Sequence, residues 1–433
     1  MTKICALIIL LTIFFTRFGF AQQPTRHTVH SAKAFKETPI LPGAYSTAEY
    51  LPLLKNKRVG VFANPTAVIG STHLVDSLLK LGVTITKIFG PEHGFRGTAD
   101  AGEEISNYTD ASTGITVVSL YGKKSKPNAK DLENVDVLLF DIQDVGTRFY
   151  TFISSLEYLL ETAIAYNIPL IVLDRPNPNG FYVDGPVLDT AYKSFIGMQP
   201  VPVVYGMTIG EYAKMLLGEA WLPWNYMRKQ DKHVSLQQIL GFEEKHTNFS
   251  LTVIKCRNYN HKSRYLLPVK PSPNLPDISS VYWYPSTCFF EGTVLSEGRG
   301  TEHPFQIFGH PSLPDSLFTF TPQSTAGAKE PKLKNQVCYG WNLYQSHTVF
   351  PTKIELYWLL HAYALFPDKA HFFIEPKSGQ PKDYFFTKLA GSTELMQQIV
   401  QGKSEKEIRQ SWQPKLNAFK KIRKKYLLYT DFE

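Results

Sequence analysis

Glu92 and His93 stand side by side between Pro91 and Gly94, directly behind the apolar run 83–89. A carboxylate at such a place can serve as a general acid once burial raises its pKa. It can equally be a helix cap or one half of a salt bridge. His93 can act as a second acid or base, donate a hydrogen bond to substrate, orient Glu92, or simply bond a backbone carbonyl. Two further polar clusters have the same placement: DIQDVGTRFY (141–150) follows VDVLLF, and DRPNPNG (174–180) follows IPLIVL. In the first, Asp141 and Asp144 cannot both be buried unpaired. Arg148 either pairs with one of them or grips a substrate carboxylate through its planar fork. Tyr150 suits stacking on, or bonding to, a sugar. In the second, Pro176 and Pro178 stiffen a loop that carries Asp174, Arg175 and Asn177, which are also ordinary turn residues. A fourth cluster, SEGRGTEHPF (296–305), brings Arg299, Glu302 and His303, either to a ligand or into a surface loop with an internal salt bridge.

The elements that must position these groups alternate from residue 58 onward. RVGVFAN, VTITKIFG, ITVVSLYG, VDVLLFDIQD and IPLIVLDRPNP read as strands, with THLVDSLLKLG and FYTFISSLEYLLETAIAYN as helices between them. Continuous apolar strands are buried on both faces. The rhythm is that of an open, mostly parallel, Rossmann-like α/β sheet. In such a sheet the carboxyl ends of the strands share one edge, where ligands bind. Glu92, His93, Asp141, Asp144, Arg148, Asp174, Arg175 and Asn177 therefore converge on one cleft. VPVVYGMTIGEYAKMLLG adds a strand and a helix, with Thr208 and Glu211 at capping-box spacing. Past Tyr259 the pattern changes, and the proline-rich 267–280 reads as a boundary wrap. The expected organisation is a signal at 1–21, an extension at 22–40, a Rossmann-like domain at 41–265 and a smaller α+β domain at 266–433, with a cleft between the two.

The signal reading rests on Lys3, the apolar ICALIILLTIFF, and small residues at Gly19 and Ala21. It implies export to a periplasm or beyond, without a stable membrane span. Net charge is +8 over 433 residues, much of it in NAFKKIRKKYLLYTDFE at the C-terminus. That run reads as the solvated face of a last helix, and nucleic acid is not the expected partner of an exported chain. Cys256, Cys288 and Cys338 would remain after cleavage, in a spacing that fits no metal site; they either form at most one disulfide or read as buried hydrophobes. No G-x-G-x-x-G or P-loop follows the first strand, no G-x-S-x-G elbow appears, and no H-E-x-x-H calls for zinc. Neither a cofactor nor a metal is expected.

Taken together, FGPEHGFRG, DIQDVGTRFYT, DRPNPNG, GPVL, PVVYGMTIGE, PSPNLP, FFEGT and SEGRGT resemble the exo-β-N-acetylmuramidase family (NamZ-like, formerly a domain of unknown function). The resemblance runs from about Leu41 to the end. It implies a Rossmann-like domain, a smaller C-terminal domain and a cleft between them. The implied enzyme is a glycosidase that releases terminal N-acetylmuramic acid from the non-reducing end of peptidoglycan fragments, with Glu92 as catalytic acid. His93 and Asp144 are the accompanying catalytic candidates. Arg148, Tyr150, Asp174, Arg175, Asn177, Arg299 and Glu302 are the substrate-binding candidates, with an arginine for the lactyl carboxylate. The alternatives are a muropeptide-binding protein without catalysis and a metal-dependent hydrolase of another sugar or ester.

Overall fold

A seven-stranded sheet organises the chain between residues 58 and 254. Across it run Leu251–Ile254, Leu170–Leu173, Val137–Asp141, Arg58–Ala63, Thr84–Gly90, Thr116–Ser119 and Tyr108–Thr109. All neighbours are parallel except the edge strand Tyr108–Thr109. The computed structural model describes residues 38–92, 94–97, 106–222, 249–344 and 350–433, and the residues from Pro39 to Glu433 cluster as one compact unit.

The central strands are the apolar runs of the sequence. Every residue of Val137–Asp141 and of Leu170–Leu173 is buried, because helices and loops cover both faces. Register places Ala63 opposite Asp141 and Phe62 opposite Phe140, whose rings stack at 5.2 Å. The crossover helix Phe152–Ala165 buries Leu156, Leu159 and Leu160. The helix Ile209–Gly218 starts on a complete Thr208–Glu211 capping box. Its preceding strand departs from the expected rhythm. Pro202–Val204 pairs antiparallel with Asp184–Val187 outside the main sheet, and the seventh strand is instead Leu251–Ile254.

The smaller C-terminal part holds a three-stranded antiparallel sheet of Ile307–His310, Cys338–Asn342 and Phe318–Phe320, with helices around it. The last helix, Glu405–Lys424, buries Ile408, Trp412, Leu416 and Phe419 at three- and four-residue spacing and turns its lysines outward. Arg423 is the exception in that basic run. It is fully buried, with both terminal nitrogens on Asp431 at 2.8 Å. One apolar cluster includes Phe140 and Leu160 from the first half with Phe289, Leu359 and Trp412 from the second. Cys256, Cys288 and Cys338 are free and buried. Among the described residues no helix is long and apolar enough to cross a membrane.

Candidate active site

The strand Thr84–Gly90 ends where Pro91 cannot continue the ladder. The Gly94 amide then donates to the Pro91 carbonyl at 2.9 Å, and Gly94 has φ +75°, a conformation that glycine adopts without strain. This tight turn holds Glu92 in the wall of a cavity of about 290 Å³. Gly97 serves packing: a Cβ there would lie 2.4 Å from Pro65 Cγ. His93 lies outside the described residues.

Aromatic rings form much of the wall, including Phe149, Tyr150, Phe195, Tyr284, Phe305 and Phe385. Tyr121 also lines the cavity and hydrogen-bonds Glu92; burial first, then the Glu92 charge and that bond, hold its phenol well above the usual value. The Tyr150 hydroxyl donates to the Pro271 carbonyl at 2.7 Å, leaving the ring as a cavity surface. Burial raises its pKa, and the charges of Asp144 and Glu92 add to the effect.

From the C-terminal part, Glu291 and Arg299 enter the same wall. Arg299 Nε donates to Glu291 Oε1 at 3.1 Å, and Nη2 bonds the same oxygen. Arg299 Nε also lies 3.2 Å from Glu297 Oε1. Burial opposes the guanidinium charge, but Glu291 and then Glu297 outweigh it, so the pKa is raised. Lys332 bonds Glu297 at 2.9 Å. Burial works against the Glu297 charge as well, yet Lys332 and Arg299 hold its carboxyl below the usual value.

Of the ten candidates read from the sequence, Glu92, Tyr150 and Arg299 meet at this cavity. Six others lie elsewhere, each for a visible reason. Arg148 is fully buried and donates to the carbonyls of Pro186 (2.9 Å), Val201 (2.8 Å) and Leu389 (2.6 Å). Burial lowers its pKa to about 9. Asp144 is buried outside the lining, where it accepts from the Tyr205 hydroxyl and, at 2.6 Å, from the Gly146 amide. Desolvation raises its pKa to about 6. Asp174 accepts from Thr208 Oγ1 (2.7 Å), the Gly210 amide (2.8 Å) and the Tyr429 hydroxyl (2.6 Å), so it anchors the start of the helix Ile209–Gly218. Its pKa is likewise raised to about 6 by burial. Arg175 is spent on Asp141, with Nη2 to Oδ2 at 2.8 Å; it takes the place in that buried bridge for which the sequence offered Arg148. Asn177 is a turn residue: Nδ2 donates to the Met207 carbonyl at 2.7 Å, and Oδ1 accepts from the Asn179 amide at 2.8 Å. Glu302 is exposed and outside the lining. Its neighbour His303 stacks on Tyr344 at 3.7 Å.

Tyr121, Glu291, Ser272 and Asn274 were missed. Glu291 lies in FFEGT, and Ser272 and Asn274 lie in PSPNLP, so the strings held the signal although no spacing rule pointed to these residues. The proline-rich stretch is cavity wall as well as connection. Among the described residues, no group of three or more His, Cys, Asp or Glu is placed to hold a metal ion.

Fold and cavity together define an α/β protein with an aromatic, carboxylate-bearing pocket beyond a strand end of a parallel sheet. The chain belongs to the exo-β-N-acetylmuramidase NamZ family: the N-terminal model matches residues 59–279 and the C-terminal model residues 282–429. It is 37% identical over 411 residues to the peptidoglycan β-N-acetylmuramidase NamZ of Bacillus subtilis (strain 168), covering 88% of this chain and 89% of that protein. Two crystal structures of DUF1343 family proteins from Bacteroides fragilis NCTC 9343 are similar. One has a TM-score of 0.78 at 40% identity, covering 91% of this chain and 100% of that one; the other has 0.70 at 28%, covering 90% and 99%.

Proposed function

We propose that this chain removes terminal β-linked N-acetylmuramic acid from the non-reducing end of peptidoglycan fragments, with Glu92 as the proton donor. The observation that carries the reading is the position of Glu92, on a tight turn in the wall of an aromatic cavity. The cavity suits one sugar ring lying against aromatic faces. As the bond from the anomeric carbon to the glycosidic oxygen breaks, Glu92 protonates that oxygen and C1 gains oxocarbenium character. Glu291, the other carboxylate of the wall among the described residues, is held by Arg299 through Oε1. The oxygen of the sugar's own 2-acetamido group is then the neighbouring nucleophile for C1, and water opens the resulting ring.

Arg299 reads the lactyl carboxylate. It is the one member of the three arginine candidates that lines the cavity, and its guanidinium presents donors in a planar fork. The N-terminal 21 residues act as an export signal, which delivers the enzyme to the compartment that holds peptidoglycan. A muropeptide-binding protein without catalysis would use the same cavity, so turnover separates the two readings. The test is incubation with aryl β-N-acetylmuramic acid and aryl β-N-acetylglucosamine glycosides, each with and without EDTA. Hydrolysis of the first, insensitive to EDTA, is the expected result. Turnover that vanishes with EDTA and returns with a divalent ion would contradict it.

A further inference from the structure

Glu291 and Arg299 form a locked pair with one unused face each. Glu291 sits in the short 3-10 turn Cys288–Gly292. Its Oε1 takes both bonds from Arg299, whereas among the described residues Oε2 accepts only from the Cys288 thiol at 3.5 Å, a weak donor. Oε2 therefore keeps an acceptor direction. Arg299 spends Nε and Nη2 on carboxylates, and Nη1 has no hydrogen-bond partner among the described residues. Their side chains remain 17% and 23% exposed, and both line the cavity. One stretch of wall thus offers a donor that can only donate beside an acceptor that can only accept.

Muramic acid matches this pairing, and the match rests on the proposed function. Its lactyl carboxylate hangs from O3. The adjacent C4 carries a hydroxyl only at the non-reducing end, because in the interior of a glycan O4 is in a glycosidic bond. The other neighbour, the 2-acetamido group, is engaged with C1.

We propose that Glu291 accepts a hydrogen bond from the free 4-hydroxyl of the terminal sugar while Arg299 holds its lactyl carboxylate, so that the pair reads the sugar and the chain end together. Glu291 is then a specificity-determining residue that enforces removal of one terminal residue. A substituent on O4 would remove the donor, strand a desolvated acceptor and bring bulk against the wall.

The experiment uses binding, so that it does not depend on turnover. Affinities of the parent protein for free N-acetylmuramic acid and for its 4-deoxy analogue are measured by calorimetry. The 4-deoxy sugar is expected to bind about tenfold or more weakly, as for a lost hydrogen bond to a charged group. Glu291→Gln should weaken binding of the complete sugar to a similar extent and leave binding of the 4-deoxy sugar unchanged. Equal affinity of the parent for the two sugars, or no binding of either, overturns the proposal whatever the variant does. A Glu291→Gln loss of the same size on both sugars overturns it as well, and assigns Glu291 to holding Arg299 alone. Glycoside turnover is scored separately, so failure of the glycosidase reading is distinguishable from failure of this one.

Discussion

Arg148 and Leu389 meet across 241 residues of sequence, with Nη2 of the arginine donating to the leucine carbonyl at 2.6 Å. The bond ties the loop after the strand Val137–Asp141 to the helix Phe385–Ala390 of the C-terminal part. A guanidinium consumed by three carbonyls is a strut between segments.

Arg148→Lys should therefore behave as a stability variant. A lysine ammonium cannot span the same carbonyls in one plane, and leaving buried acceptors unmatched costs about 1–3 kcal/mol each. A melting temperature lower by several degrees is expected, with an unchanged KM for a muramic acid glycoside. A raised KM at unchanged stability would return Arg148 to the substrate.

Arg299→Lys should do the reverse. The charge stays and the fork is lost, so KM for a muramic acid glycoside should rise about tenfold. Turnover of any accepted glycoside without the lactyl group should hardly change. Glu302→Ala, on an exposed residue outside the cavity, should leave both rates at the parental value. Steady-state kinetics on the two substrates checks all of this.

Asp144 makes a prediction about pH. Burial raises its folded-state pKa to about 6 from an ordinary value of 3.8, and Oδ1 has no hydrogen-bond partner. The folded protein thus prefers the protonated acid. That contribution is fully present below about pH 4 and is lost as pH rises through 6. The change is roughly 2–3 kcal/mol. Asp174, raised for the same reason, acts in the same direction and window. Asp144→Asn should be at least as stable as the parent at pH 7, lose that advantage at pH 4, and keep its activity. Urea unfolding at the two pH values tests this; equal destabilisation at both would contradict it.

The sheet was legible because continuous apolar runs such as VDVLLF need cover on both faces, and the Thr208–Glu211 cap could be read from spacing alone. The polar clusters do follow strand ends, and Asp141 and Arg175 meet there. Of the residues expected to share one cleft, however, Asp141, Asp144, Arg148, Asp174, Arg175 and Asn177 do not line the cavity. What spacing could not supply was which strand-end group faces the cavity. Asp174 is drawn down by Thr208, Gly210 and Tyr429, and Arg148 by carbonyls from distant segments, and such partners leave no trace in local sequence. Glu291 escaped for a related reason. A lone glutamate after two phenylalanines reads as a turn residue until Arg299, eight positions on, closes back on it.

The central claim is that Glu92 is the proton donor, and the most direct measurement compares Glu92→Gln with the parent on two leaving groups. Glutamine keeps the shape and removes the transferable proton. On the natural disaccharide, whose leaving sugar needs protonation, the rate should fall by about 10²–10⁴-fold. On a highly activated aryl glycoside the loss should shrink markedly, with melting temperature and product affinity close to parental. A stable Gln variant that turns over the disaccharide at near-normal rate, or loses equally on both substrates, would contradict the account.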